Sequence, residues 1–92
     1  MNNAELVATI QEIQGEETDS IILEGDEFAD GAVGVTLDGN VVYDYDKLVD
    51  ALVKAWNCTD TEAIEWIEYN TIRSLPYMES QGTPPIIMTS FE

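Results

Sequence analysis

Paired carboxylates are the only side chains in this sequence whose type and spacing could support bond-breaking chemistry. Asp44/Asp46 and Glu62/Glu65 resemble the two acids of glycoside hydrolysis, one protonating the leaving group and the other attacking or activating water. That division of labour needs a pocket that desolvates one carboxyl and leaves its partner wet. With nineteen acids in 92 residues, close pairs arise from composition alone. The sequence has no histidine and a single cysteine, Cys58. It therefore has no Ser-His or Cys-His nucleophile, no zinc spacing and no disulfide framework. Asp26-x-Phe28-x-Asp30-Gly31 has the outline of a calcium loop. However, its third position is Phe and its twelfth would be Leu37, so two oxygen ligands are missing. The sequence predicts no enzyme, no metal site and no cofactor.

Charge is the more informative property. The formal net charge is −16, and no lysine or arginine precedes Lys47. Lys54 and Arg73 complete the basic set. Self-repulsion of this size works against a compact state, yet the chain is 45% hydrophobic and contains two tryptophans and four tyrosines. Disordered acidic tails lack such residues, so a folded single domain is expected over 1–92. No apolar run approaches the roughly 20 residues of a membrane span. Met1-Asn2-Asn3-Ala4-Glu5 lacks the basic start of a signal peptide. A cytoplasmic protein with Cys58 reduced is the expectation.

Some acids have local explanations: Glu5 suits the first turn of a helix, Asp38 a turn and Asp44 a helix cap. The unexplained charge lies at Glu16, Glu17 and Asp19, and at Glu24, Asp26, Glu27 and Asp30. To these are added Asp46 and Asp50 at i, i+4 and Glu62, Glu65 and Glu68 at i, i+3, i+6 of two later helices. Rows of carboxylates about 4.5 Å apart along a helix can engage the Lys/Arg groove of a protein built to hold phosphates. These twelve residues are the candidate partner-binding set. The expected partner is a basic, nucleic-acid-binding protein, with no direct nucleic-acid binding, no membrane contact, and a monomeric or homodimeric chain. The second reading is an accessory or assembly protein that binds through an apolar patch around Trp66 and Tyr77, with acidity serving solubility.

Positioning these acids requires a scaffold, and its elements can be read along the chain. Asn3 as cap and the Leu6, Ile10, Ile13 spacing, widened by Val7, predict a helix over 4–14 ended by Gly15. Ser20–Glu24 and 32–37 read as strands, the latter with Val33, Val35 and Leu37 on one face. Asp38-Gly39 reads as a two-residue type I′ hairpin turn, and Asn40–Tyr43 as the returning strand. Asp44 caps a second helix carrying Leu48, Leu52 and Ala55, with Val49, Val53 and Trp56 beside them, closed by Asn57. Thr59-x-x-Glu62 is a capping box that opens a third helix. Ile64, Ile67, Thr71 and Leu75 line it, and Pro76 should end it. Pro85–Met88 supplies a short last strand, suited by its prolines to an edge.

The fold class is α+β. A small antiparallel sheet of three strands, with a fourth at the C-terminus, carries an N-terminal helix and a C-terminal helical hairpin on one face. In this frame Trp56 is expected in the core. Trp66 and Tyr69 lean away from the apolar stripe and cover the sheet end or the Pro76–Pro85 loop.

Two resemblances add a setting. Val42-Tyr43-Asp44-Tyr45-Asp46-Lys47-Leu48, Thr59–Asn70 with the run continuing to Arg73, Leu75-Pro76-Tyr77 and Pro85-Ile86-Ile87-Met88 resemble a family of small uncharacterised bacteriophage and prophage proteins. This resemblance spans about half the chain, mainly 33–88, and implies a viral or mobile-element context without an assigned chemistry. In charge and order of elements, the chain is also similar to small anti-CRISPR proteins. That similarity implies a CRISPR effector as the basic partner and an infected bacterium as the compartment.

Overall fold

The computed structural model describes residues 1–91. In chain order the elements are α1 (Asn3–Gln14), α2 (Asp26–Ala29), β1 (Ala32–Val35), β2 (Val41–Asp44), α3 (Tyr45–Trp56) and α4 (Asp60–Trp66). A π-helical turn (Ile67–Thr71), a 3-10 turn (Ile72–Ser74), α5 (Leu75–Met78) and β3 (Ile86–Met88) follow. The domain is α+β, with an N-terminal helix and a C-terminal helical hairpin, as its pattern implies.

α1 begins one residue earlier than its spacing predicts. Asn2, not Asn3, is the cap, and its side chain accepts from the Glu5 N–H at 2.9 Å. This frees Asn3 to tie α1 to the next segment, its Nδ2 donating to the Leu23 carbonyl at 3.1 Å. Gly15, at φ 97°, ends the helix and returns its N–H to the Gln11 carbonyl. Leu6 and Ile10 are buried, whereas Val7 and Ile13 face outward.

Ser20–Glu24 is not a strand. Ser20 makes an isolated bridge to Thr83, and the Ile21 N–H donates to the Thr83 carbonyl at 2.9 Å. The Leu23 N–H donates instead to the Tyr43 hydroxyl at 3.0 Å, inside the core. A side chain thus takes the place of a neighbouring strand as the partner of this backbone. Because Tyr43 is fully buried, Tyr43→Phe strands the Leu23 N–H at an expected cost of about 1–3 kcal/mol. Burial also raises the Tyr43 pKa above its ordinary value of 10.0. Folding therefore favours the neutral phenol: its contribution is complete below the unfolded pKa and is lost as pH rises through the folded one. Urea titrations across alkaline pH should show a declining limb that is shallower in Tyr43→Phe.

The hairpin also differs in detail. The Thr36 N–H bonds to the Asn40 carbonyl and the Gly39 N–H to the Thr36 carbonyl, so the loop is three residues long, Leu37-Asp38-Gly39. Only Gly39, at φ 92°, takes positive φ, the pattern of a turn followed by a glycine bulge rather than a type I′ pair. A second irregularity lies in the ladder itself: Ala32 pairs with Tyr43 but Gly34 with Val42, which leaves Val33 as an extra residue. The bulge shifts the inside–outside alternation. Ala32 and Val35 consequently pack on the core while Val33 and Leu37 do not, Leu37 being 98% exposed.

β2 is the central strand of three, antiparallel to β1 and parallel to β3. The sheet is mixed because the chain runs from β2 straight into α3 and returns through α4 and α5 to the far edge. A crossover of that length allows parallel pairing. Asp44 joins the layers: its N–H donates to the Gly31 carbonyl and its Oδ1 accepts the Lys47 N–H at the start of α3. Val41 and Tyr43 from β2, Leu48 and Leu52 from α3 and Ile67 after α4 form the fully buried centre.

The helical hairpin has both predicted caps. Asn57 closes α3 in the left-handed region (φ 50°, ψ 46°), and Thr59 with Glu62 forms a complete capping box. Its inward face is set differently. Ala63, Ile67 and Thr71 are buried, whereas Ile64 is 38% exposed, because the short connection holds α4 close against α3 and turns the small side chain inward. Pro76 does not end the helical path but opens α5. Lacking an N–H, it leaves the Ile72 carbonyl to the Leu75 N–H, which tightens Ile72–Ser74 into a 3-10 turn.

Candidate partner-binding surface

The twelve carboxylates singled out in the sequence fall on separate parts of the surface. Glu16, Glu17 and Asp19 share a concavity of about 400 Å³ with Asp38, between the end of α1 and the hairpin turn. Asp19 is partly engaged, its Oδ1 accepting from the Thr83 hydroxyl at 2.7 Å. The Asp26–Asp30 stretch is a helical turn, α2, rather than a loop. Asp26 accepts the Asn3 N–H at 3.0 Å, and Asp30 holds the Met1 ammonium at 2.9 Å. This is the single ion pair among the described residues, and it raises the pKa of the amino group through hydrogen bonding and then charge.

Asp30 and Asp50 lie beside Lys47 and Lys54, so the field there is mixed in sign. Asp46 is exposed in the first turn of α3. Glu68 accepts from the Tyr45 hydroxyl at 3.1 Å. Partial burial, followed by Glu68, raises the pKa of that phenol. The Thr59 N–H, then the Thr59 hydroxyl, lowers the pKa of Glu62. The acids of α3 and α4 therefore do not join the α2 acids in one continuous row.

A different feature brings charge and apolar surface together. Phe28, Trp56 and Trp66 form a cluster with centroid separations of 6.1 Å (Phe28–Trp56), 5.4 Å (Phe28–Trp66) and 5.1 Å (Trp56–Trp66). The two indoles meet edge to face, with 76° between their planes. Phe28 is buried beneath them, but Trp56 and Trp66 remain 39% and 37% exposed. Trp56 is thus not the core residue its helical position predicts: it is the last residue of α3 and packs on Phe28 and Trp66 rather than in the buried centre. Trp56, Trp66 and Tyr69 line an open groove of about 410 Å³ whose remaining wall carries Cys58, Glu62, Glu65 and Asn70. Trp66 also borders a second groove, formed with Leu23, Glu24, Phe28 and Met78.

The sequence points to Trp66 as part of an apolar patch but not to its pairing with Trp56, although a signal for that pairing is present in the chain. Two tryptophans stand ten positions apart across a helix–turn–helix joint, and acids are interleaved with the second. The π-helical turn that follows positions Tyr69 and Asn70. The Ile72 N–H reaches back five residues to the Ile67 carbonyl, and Asn70 Nδ2 occupies the Trp66 carbonyl at 3.0 Å. Such turns recur where helices aim side chains at a function. No helix among the described residues is long and apolar enough to cross a membrane. Comparison with protein-family models, curated proteins and solved structures found no match.

Proposed function

We propose that this protein is an acidic inhibitor that occupies the nucleic-acid-binding groove of a basic partner and stands in for the polyanion held there. The observation that carries the reading is the unspent charge. A chain of net charge −16 has one ion pair among its described residues. The side chains of Glu16, Glu17, Glu24, Glu27, Asp46, Asp50 and Glu65 accept no hydrogen bond there. Carboxylates left in water cost little to redirect toward lysines and arginines, and they steer association at long range. The resemblance to phage and prophage proteins supports a cytoplasmic role in an infected bacterium. The similarity to anti-CRISPR proteins favours a CRISPR effector, blocked at a PAM-reading or strand-holding site. The role is binding rather than catalysis.

The test compares the wild-type chain with a Glu62/Glu65/Glu68→Gln variant for retention of a basic nucleic-acid-binding protein and for loss of that protein's nucleic-acid binding. Gln at position 62 preserves the capping box, so the hairpin should remain folded. Retention is expected to fall about tenfold or more as salt rises from low to physiological levels, and to weaken in the variant. Binding that ignores salt would sink the mimicry mechanism even if inhibition occurred.

A second reading has its own observation. Trp66, one of the two residues expected in an apolar patch, shares an exposed aromatic groove with Trp56 and Tyr69, while Tyr77 is exposed outside that lining. Such a groove suits an accessory or assembly protein that docks through apolar surface, with acidity serving solubility. In that case charge reversal on α4 would leave binding intact.

A further inference from the structure

The geometry points to a specific occupant for the groove between α3 and α4: the guanidinium of an arginine on the basic partner, an inference that rests on the partner class proposed above. Three aromatic side chains, Trp56, Trp66 and Tyr69, line the groove alongside Glu62 and Glu65. The Thr59 N–H and hydroxyl both donate to Glu62 Oε1, at 3.0 and 3.1 Å. Glu62 Oε2 therefore remains available, as does the whole Glu65 carboxylate. A cation entering here meets aromatic surface and two carboxylates at once. Arginine fits that combination best, because its planar, weakly hydrated guanidinium stacks on aromatic rings while its fork pairs with carboxylates.

The chain already holds the aromatic half of such a contact. The guanidinium of its own Arg73 lies 5.7 Å from the centroid of Tyr69, so a ring of this groove carries an arginine in the folded protein. Other occupants fit less well. A second copy would bring Glu62 and Glu65 against like charges on a molecule of net charge −16, and a phosphate would meet the same repulsion. A neutral apolar segment would leave the two carboxylates facing it unpaired. A lysine keeps the charge but, as a compact and strongly hydrated ammonium, loses the stacking.

Trp56 and Trp66 are the only tryptophans, and both line the groove, so indole emission reports on it directly. Capped tetra-arginine and tetra-lysine peptides of equal charge are titrated into the full chain at low and at moderate salt. Wild type is expected to bind the arginine peptide about fivefold more tightly than the lysine peptide, with a saturable change in emission. Tyr69→Ala, at an exposed position, should shrink that preference with a smaller loss for the lysine peptide. Glu65→Gln should weaken both peptides and the arginine peptide more, since it loses paired hydrogen bonds as well as charge; circular dichroism confirms that each variant is folded. Equal, salt-sensitive binding of both peptides by wild type would overturn the arginine groove and leave the basic-partner reading standing. So would an arginine preference that survives in both variants. If neither peptide bound even at low salt, both readings would fall.

Discussion

Between about 0.01 M and about 1 M sodium chloride, the thermal midpoint of this protein is expected to rise by about 10 °C or more. The reason is geometric. Two unit charges about 20 Å apart in water repel by roughly 0.2 kcal/mol, and sixteen uncompensated charges form on the order of a hundred such pairs. The folded chain holds them within a radius of gyration of 12.8 Å, whereas unfolding expands it to roughly 30 Å and relieves much of the repulsion. At about 0.01 M salt the screening length is about 30 Å, longer than the domain, and at about 1 M it is about 3 Å. Salt therefore acts selectively on the folded state. The expected relief of several kcal/mol is comparable with the about 5–15 kcal/mol of total stability of an ordinary domain. Thermal unfolding followed by circular dichroism across a salt series, with an uncharged osmolyte as control, measures it. A midpoint that does not move would mean the surface acids are not in mutual repulsion.

Ile67→Ala is expected to cost about 2–5 kcal/mol, enough to leave a large fraction of the chain unfolded at low salt. Ile67 is fully buried where α4 passes into the π-helical turn, in one core with Tyr43, Leu48 and Leu52. Removing its outer carbons leaves a void lined by the central strand and the main helix. Ile64→Ala, three positions earlier, should cost well under half as much, since that side chain is already 38% exposed. Chemical denaturation of the two variants at one salt concentration decides the matter. Comparable losses would mean that Ile64 packs inward as fully as Ile67.

That contrast shows how far the sequence could be read. Caps with a defined chemical signature were legible: Gly15 with its positive φ, Asp44, Asn57, and Thr59 with Glu62 all perform the roles their residue types imply. So was the α+β class. Features decided by tertiary competition were not legible. Ser20–Glu24 has strand composition, but the hydroxyl of Tyr43, twenty residues away, claims the Leu23 N–H. One bulge at Val33 splits the expected face of β1, so that Ala32 and Val35 pack inward while Val33 does not. Pro76 marks a change of helical pitch rather than a stop, because Leu75 takes the carbonyl that proline cannot. For the candidate surface, the acids could be enumerated but not their grouping. Asp26 and Asp30 spend their side chains on the N-terminal segment, whereas Glu62 and Glu65 share a groove with Trp56, which its helical phase had assigned to the core.

The parallel pairing of β3 with β2 has a consequence for how the protein is made. Thr83 and Pro84 close hydrogen bonds to partners 64 and 44 residues earlier, at Asp19 and Asn40. A nascent chain grows at about 5–20 residues per second, so β2 and the first half of the core wait seconds for the segment that seals them. During that interval the far edge of β2 has no strand beside it, and contacts of such long range form slowly even after synthesis. The like charge along the first forty-six residues is present throughout. Like charge opposes association, so the acidity that burdens the finished domain is expected to hold unfinished chains apart while that edge is open.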